Sequence, residues 1–265
     1  MKDISPEQMV IGDKSGIDLS ESRPSLQALL KEHRQHLEAL PPDAPAIERA
    51  RIQLDIAETL LALQQKPEAW SAGREIFDVF ITETAWQDAI ETCDVLFQCE
   101  QPESLAALGN GVWLAVTFPV PATLTVAMLQ HIVDETPETS DGAAVAAMAA
   151  HYIADLRTEG KEHESLTFFT NQLVAGVAKR HRGIDNDPEM IRMWAEILQL
   201  NDVKELFSRL AVHDDTAELP VPLLPRSGQR PHDRPVGAGR AAFRVGTDLR
   251  PCRRRGNHLL LVLSR

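Results

Sequence analysis

Apolar residues in this chain recur mostly at steps of three and four, the spacing of one face of an α-helix. Leu26, Leu30, His33, Leu37 and Leu40 form one such stripe. Ile47, Ala50, Leu54, Ala57 and Leu61 form a second, with Glu48, Arg51, Asp55 and Glu58 on the opposite, water-facing side. Pro41 and Pro42 separate the two, because proline ends a helix that reaches it. A first helix is therefore expected from Ser25, just after Pro24, and a second over about 45–65. So short a turn predicts an antiparallel hairpin.

The pattern continues with helices expected over 67–82, 84–98, 102–117, 121–136, 139–159, 163–182, 187–199 and 202–212, ten in all. Glu68–Phe80 echoes Thr84–Leu96 at an offset of 16 residues, with Trp70 matching Trp86 and Val79 matching Val95. Several boundaries carry terminal signals. Pro102 fits a first helical turn, where its missing N–H costs nothing. Ser140 and Asp141 fit an N-cap, as does Asp187 before Pro188, and Gly160 and Gly183 are natural terminators. The expected architecture is all-α: an array of antiparallel helical hairpins, an α-solenoid or an irregular bundle, over residues 25–213.

One stretch stands apart. Between Glu103 and Asp134, residues Ser104 to Val133 contain no Asp, Glu, Lys or Arg, in a chain where 25% of residues are charged. Such a run must be shielded from water. Its 30 residues exceed the roughly 20 of a membrane span, but Asn110 between glycines, Pro119 and Pro121 at its middle and acidic rather than basic flanks oppose that reading. The expectation is two buried helices joined at Phe118-Pro119-Val120-Pro121, with Leu114, Phe118, Leu124 and Leu129 buried. Gly142–Ala154 is a second apolar patch, whose small side chains allow close helix packing.

Composition changes the picture in two ways. With one Tyr, four Trp and eight Phe, the core is aliphatic and alanine-rich, which suits helix-on-helix packing. The charge is split: residues 1–225 hold 17 Lys and Arg against 37 Asp and Glu, a net of −20, whereas 226–265 hold ten Arg and two Asp, a net of +8. An acidic body argues against nucleic acid or an anionic membrane as its partner. Residues 1–24 read as a flexible N-terminal arm. Residues 214–265 read as a disordered Pro/Gly/Arg-rich tail, as out-of-frame or otherwise non-native coding sequence that begins between Val212 and Arg226. The alternative is a native basic arm. The N-terminus has no apolar signal core, so the expected compartment is the cytoplasm.

Chemistry is sparse. Cys93, Cys99 and Cys252 form no CxxC pair, and the phosphate-loop, dinucleotide, zinc-protease and nucleophile-elbow motifs are missing. His131 has Asp134 and Glu135 one turn away, His151 has Asp155, and His33 and His36 lie beside Glu32. If the Gln130–Glu135 and Ala144–Asp155 segments were neighbours, two histidines and two carboxylates could converge on a metal, although no Glu-x-x-His unit of a di-iron bundle is present. Asp185–Glu189 has calcium-like ligands but lacks the loop's glycine and final glutamate. Trp70, Trp86, Trp113 and Trp194 are spread along the array as gap-fillers or interface anchors. No catalytic, cofactor-binding or metal residue is assigned.

Residues 67–102 resemble a tetratricopeptide-type hairpin. Ala85–Leu96 is similar to that family's second helix, with Ala89 at the small-residue position and Pro102 near the closing proline. Phe77 or Leu61 stands where the first helix should offer a small residue, and no 34-residue period continues. The resemblance implies an α-solenoid tendency. The expected function is a non-enzymatic protein-interaction module (scaffold, assembly factor or regulator) whose acidic surface takes a basic protein partner. An all-helical metalloprotein or enzyme with its site between central helices is the alternative.

Overall fold

The computed structural model describes residues 19–211 as ten helices. They are α1 (Leu19–Ala39), α2 (Ala46–Ala62), α3 (Lys66–Thr82), α4 (Trp86–Gln98), α5 (Ser104–Thr117), α6 (Ala122–Glu135), α7 (Asp141–Arg157), α8 (Gly160–Arg182), α9 (Pro188–Ile197) and α10 (Val203–Ala211). No strand occurs among the described residues, so the fold is all-α as the periodicity predicts. Of the expected arm over 1–24, residues 1–18 lie outside the described residues, as does the expected tail over 214–265.

Three boundaries differ from expectation. α1 opens at Leu19, with Pro24 inside it, because one proline near a helix start removes a single backbone bond and its φ already suits a helix. Pro102 precedes α5 instead of joining it. Ser104 opens that helix: its Oγ accepts from the Gln101 N–H (2.8 Å) and donates to the Leu96 carbonyl (2.8 Å), tying the end of α4 to the start of α5. Gly160 does not terminate α7 but begins α8, at φ +61. Thr158 closes α7 instead, in an extended conformation. The other caps match: Ser140 accepts from the Gly142 N–H, Asp187 from those of Glu189 and Met190, and Gly183 ends α8 in a left-handed turn.

Each helix from α1 to α8 packs on its successor, and α2, α4, α6 and α8 also touch their next-but-one neighbours. The even-numbered helices therefore form one continuous row. α3, α5 and α7 open at residues 66, 104 and 141, so the two-helix unit repeats every 37 or 38 residues. The 16-residue echo has another origin. Thr84 and Glu100, 16 apart, both take positive φ just after a helix, as do Gln64 and Gln199. At Thr84 the turn is closed by bonds from Thr84 N–H to Ile81 O and from Ala85 N–H to Phe80 O, and the same pair recurs at Gln64 and Gln199. The echo marks equal helix ends, not a repeat unit.

The charge-free run forms α5 and α6, bent at Phe118–Pro121 as expected. Leu114 and Leu129 are buried. Phe118 and Leu124 are only half-buried, because Phe118 sits at the corner, stacked on Trp86 (3.8 Å between ring centres) and edge-on to Trp113. α4, α5 and α6 converge at Gly111, where an added Cβ would stand 2.8 Å from Cys93 Cβ and collide with the Met128 methyl. In α7 every residue from Ala143 to His151 is buried, as its small side chains predict.

α5 and α6 carry no basic residue in their last turns, so their terminal carbonyls need donors from elsewhere. Arg157, at the end of α7, supplies three bonds. Its Nη1 donates to Ala115 O (2.9 Å) and Thr125 Oγ1 (3.2 Å), and its Nη2 to Val116 O (2.8 Å). Thr125 Oγ1 in turn donates to Ala115 O. Arg180 of α8 likewise reaches Val133 O at the end of α6 (2.8 Å). Arg157→Met should cost about 2 kcal/mol, a fall in Tm of roughly 4–8 °C, since two helix-end carbonyls lose a charged donor. Arg157→Lys should recover less than half, because one ammonium cannot reproduce the fork. Thermal unfolding of the three proteins checks this, and a lysine variant as stable as wild type would contradict it.

Candidate functional site

The histidines find partners other than those their sequence spacing suggested. His131 Nε2 meets Asp94 of α4 (2.8 Å), not Asp134 or Glu135, and Phe97 packs beside its ring. His151 is buried against Thr170 of α8 (Nδ1 to Oγ1, 3.0 Å). Burial lowers its pKa, with Asp155 pulling the other way. Asp155 itself lies 3.8 Å from His163. α6 and α7 do pack together, yet no group of three His, Cys, Asp or Glu side chains among the described residues is arranged to hold a metal. His33 is half-buried and His36 exposed. Asp187 is a helix cap, and Asp185 pairs with Lys179 (3.1 Å).

Cys93 and Cys99 are buried and unbridged. Burial pushes the Cys93 thiol well up and the Cys99 thiol up to about 11, so neither offers a thiolate nucleophile at neutral pH. Among the tryptophans, Trp194 is buried, while Trp70, Trp86 and Trp113 are half-buried against the core. A hollow of about 650 Å³ lies between α1 and the α2–α3 turn, with Leu30 and Leu63 beside Lys31, Arg34, Glu38 and Glu68. Its charges are mixed and open to water.

What the fold assembles instead is a line of carboxylates across the even-numbered row. α2 contributes Asp55 and Glu58, and α4 contributes Asp88, Glu91 and Asp94, each set at three-residue steps and so on one helix face. The ends of the line are compensated. Arg51 of α2 forks onto Asp88 through Nε (3.2 and 3.3 Å) and Nη2 (3.0 Å), and His131 of α6 meets Asp94. Gln87 donates to Glu91 (2.9 Å). In the middle, Glu58 is exposed, with neighbouring protein displacing part of the water around it. This partial desolvation comes first, with repulsion from Glu91, Asp55 and Asp94 added, and pushes its carboxyl from 4.5 up to about 7. Glu91 is raised by burial first, against the Gln87 bond, with repulsion from Asp88, Asp94 and Asp55 added.

Comparison with protein-family models, with curated proteins and with solved structures finds no match to this chain. No described helix is long and apolar enough to cross a membrane. The site is therefore read from its own residues.

The sequence stripe places Asp55 and Glu58 in water, and both are exposed. What the stripe misses is that α2 also buries Ile52, Ile56 and Leu60, packing on α1, α3 and α4 at once. The signal was present in spacing: Arg51–Asp88 and Asp94–His131 are each 37 residues apart, the length of the two-helix unit.

The folded Glu58 carboxyl titrates above its unfolded value, so the stability it lends is complete below about pH 4.5 and is lost as pH rises through 7. Glu58→Gln should leave Tm unchanged or slightly lower at pH 4.5 and raise it at pH 8. Scanning calorimetry at both values checks this. A glutamine variant less stable than wild type at pH 8 would mean that the carboxylate is satisfied as it stands.

Proposed function

We propose that the protein is a non-enzymatic protein-interaction module, a helical array that acts as a scaffold, assembly factor or regulator by holding a basic segment of another protein against the α2–α4 face. One observation carries this reading: α2 and α4 bring Asp55, Glu58 and Glu91 to one face, burial and neighbouring carboxylates raise the pKa of Glu58 and of Glu91, and the flanking Asp88 and Asp94 already have Arg51 and His131. A cationic side chain laid between α2 and α4 relieves that repulsion, so the face favours lysine- or arginine-rich partners over neutral ones. The tetratricopeptide likeness at residues 67–102 agrees with this use, because stacked hairpins present an extended surface to peptides. A body of net charge −20 repels nucleic acid, and among the described residues the cysteine thiols are buried and the histidines scattered.

Affinity for a 12-residue Lys/Ala peptide, measured by titration calorimetry, tests the proposal. Binding should weaken with salt and strengthen from pH 5.5 to pH 8, as Glu58 deprotonates. It should fall roughly five- to tenfold in Glu58→Gln/Glu91→Gln, since each exposed ion pair contributes up to about 1 kcal/mol. Full affinity in the double variant, or equal affinity for a Glu/Ala peptide, would overturn it.

A further inference from the structure

Helix α9 is apolar on two sides. Ile191, Trp194 and Ala195 are buried, and the Trp194 Nε1–H donates to Nδ1 of buried His181 (3.1 Å), which fixes that face inward. Met190, Met193 and Ile197 follow at steps of three and four and make a separate stripe. They are 46, 53 and 73% exposed. Three of the seven most exposed large apolar side chains among the described residues therefore share one ten-residue helix. Single exposed apolar residues need no explanation, but a contiguous stripe does.

The stripe ends at a hollow of about 410 Å³ between the close of α9 and the start of α10, lined by Glu196, Gln199, Asn201, Asp202 and Glu205. Three of its five residues are carboxylates and none is basic. At this end Arg209 donates to the Leu198 carbonyl (2.9 Å) and Asp202 accepts from the Lys204 and Glu205 N–H groups as the cap of α10. At the opposite end Arg192 is paired with Glu189 (3.0 Å). Methionine suits such a face, because its flexible and polarisable side chain adapts to differing apolar partners.

We propose that the outer face of α9 docks an amphipathic helix from another protein. Its apolar ridge lies along Met190, Met193 and Ile197, and its Lys or Arg cluster enters the carboxylate hollow. The ridge supplies the buried area, and the basic cluster sets the direction in which the helix lies. This surface is separate from the α2–α4 face and stands without it.

The test uses the full chain in the Glu58→Gln/Glu91→Gln background, which removes the other acidic face from the measurement. The probe is a labelled 14-residue Leu/Lys amphipathic peptide with its lysines clustered towards one end, followed by fluorescence anisotropy. Two controls replace its lysines with glutamates or scramble its apolar positions. The basic amphipathic peptide should bind and the controls should not. Met190→Ser/Met193→Ser/Ile197→Ser, checked for unchanged helix content, should weaken binding by about tenfold or more. Glu196→Gln/Glu205→Gln should weaken it less and flatten its salt dependence. Equal affinity for the triple-serine variant or for the scrambled peptide would overturn the proposal. So would a dimer that the serine substitutions dissolve, or binding that appears only once residues 212–265 are removed, since a second copy or the chain's own tail would then be the occupant.

Discussion

The carbonyl ends of α5 and α6 are the constraint around which this array is arranged. These two helices carry no charged residue over the greater part of their length, so nothing in their own sequence can satisfy their last turns. Arg157 and Arg180 do so from α7 and α8, each two helices further on. A guanidinium placed among neutral oxygens is costly unless its donors are used, and burial lowers the Arg157 pKa accordingly. Because the bonds span next-but-one helices, they tie α7 to α5 and α8 to α6. The corner at Phe118–Pro121 is held from the opposite direction by Trp86. Arg209 repeats the device at the end of α9, donating to the Leu198 carbonyl (2.9 Å).

The even row has an electrostatic consequence. With α2 and α4 in contact along the even row, acids that each helix could have shown to water alone are brought side by side. Two of the five find cationic or imidazole partners, and the remaining three repel one another. Such a cluster costs stability that one lysine placed within it would recover, which is the physical ground for proposing the face as a binding surface. The left-handed Gln64, Thr84, Glu100 and Gln199 show that this chain tolerates local cost, since each of these αL residues costs about 1–2 kcal/mol that a glycine would avoid.

Much of the fold was legible in the sequence, and the candidate site was not. Helix existence followed from stripes such as Leu26–Leu40, and most ends from Asp187, Ser140 and Gly183, because both are local properties. Gly160 misled for a local reason too: a left-handed glycine serves the start of one helix as readily as the end of another. The carboxylate face depends on which helix lies beside α2, and no residue of α2 states that. His131 shows the same limit. Asp134 and Glu135 are one turn away in sequence, yet Asp94 of another helix takes the imidazole.

The most direct measurement is the titration of the Glu58 side-chain carboxyl by carbon-13 NMR, in the free protein and with a polybasic peptide bound. The account predicts a midpoint near 7 in the free protein and a fall towards the ordinary carboxylate range once the peptide's cations lie against the face. A free-state midpoint near 4.5, or one that does not move when the peptide binds, would contradict it.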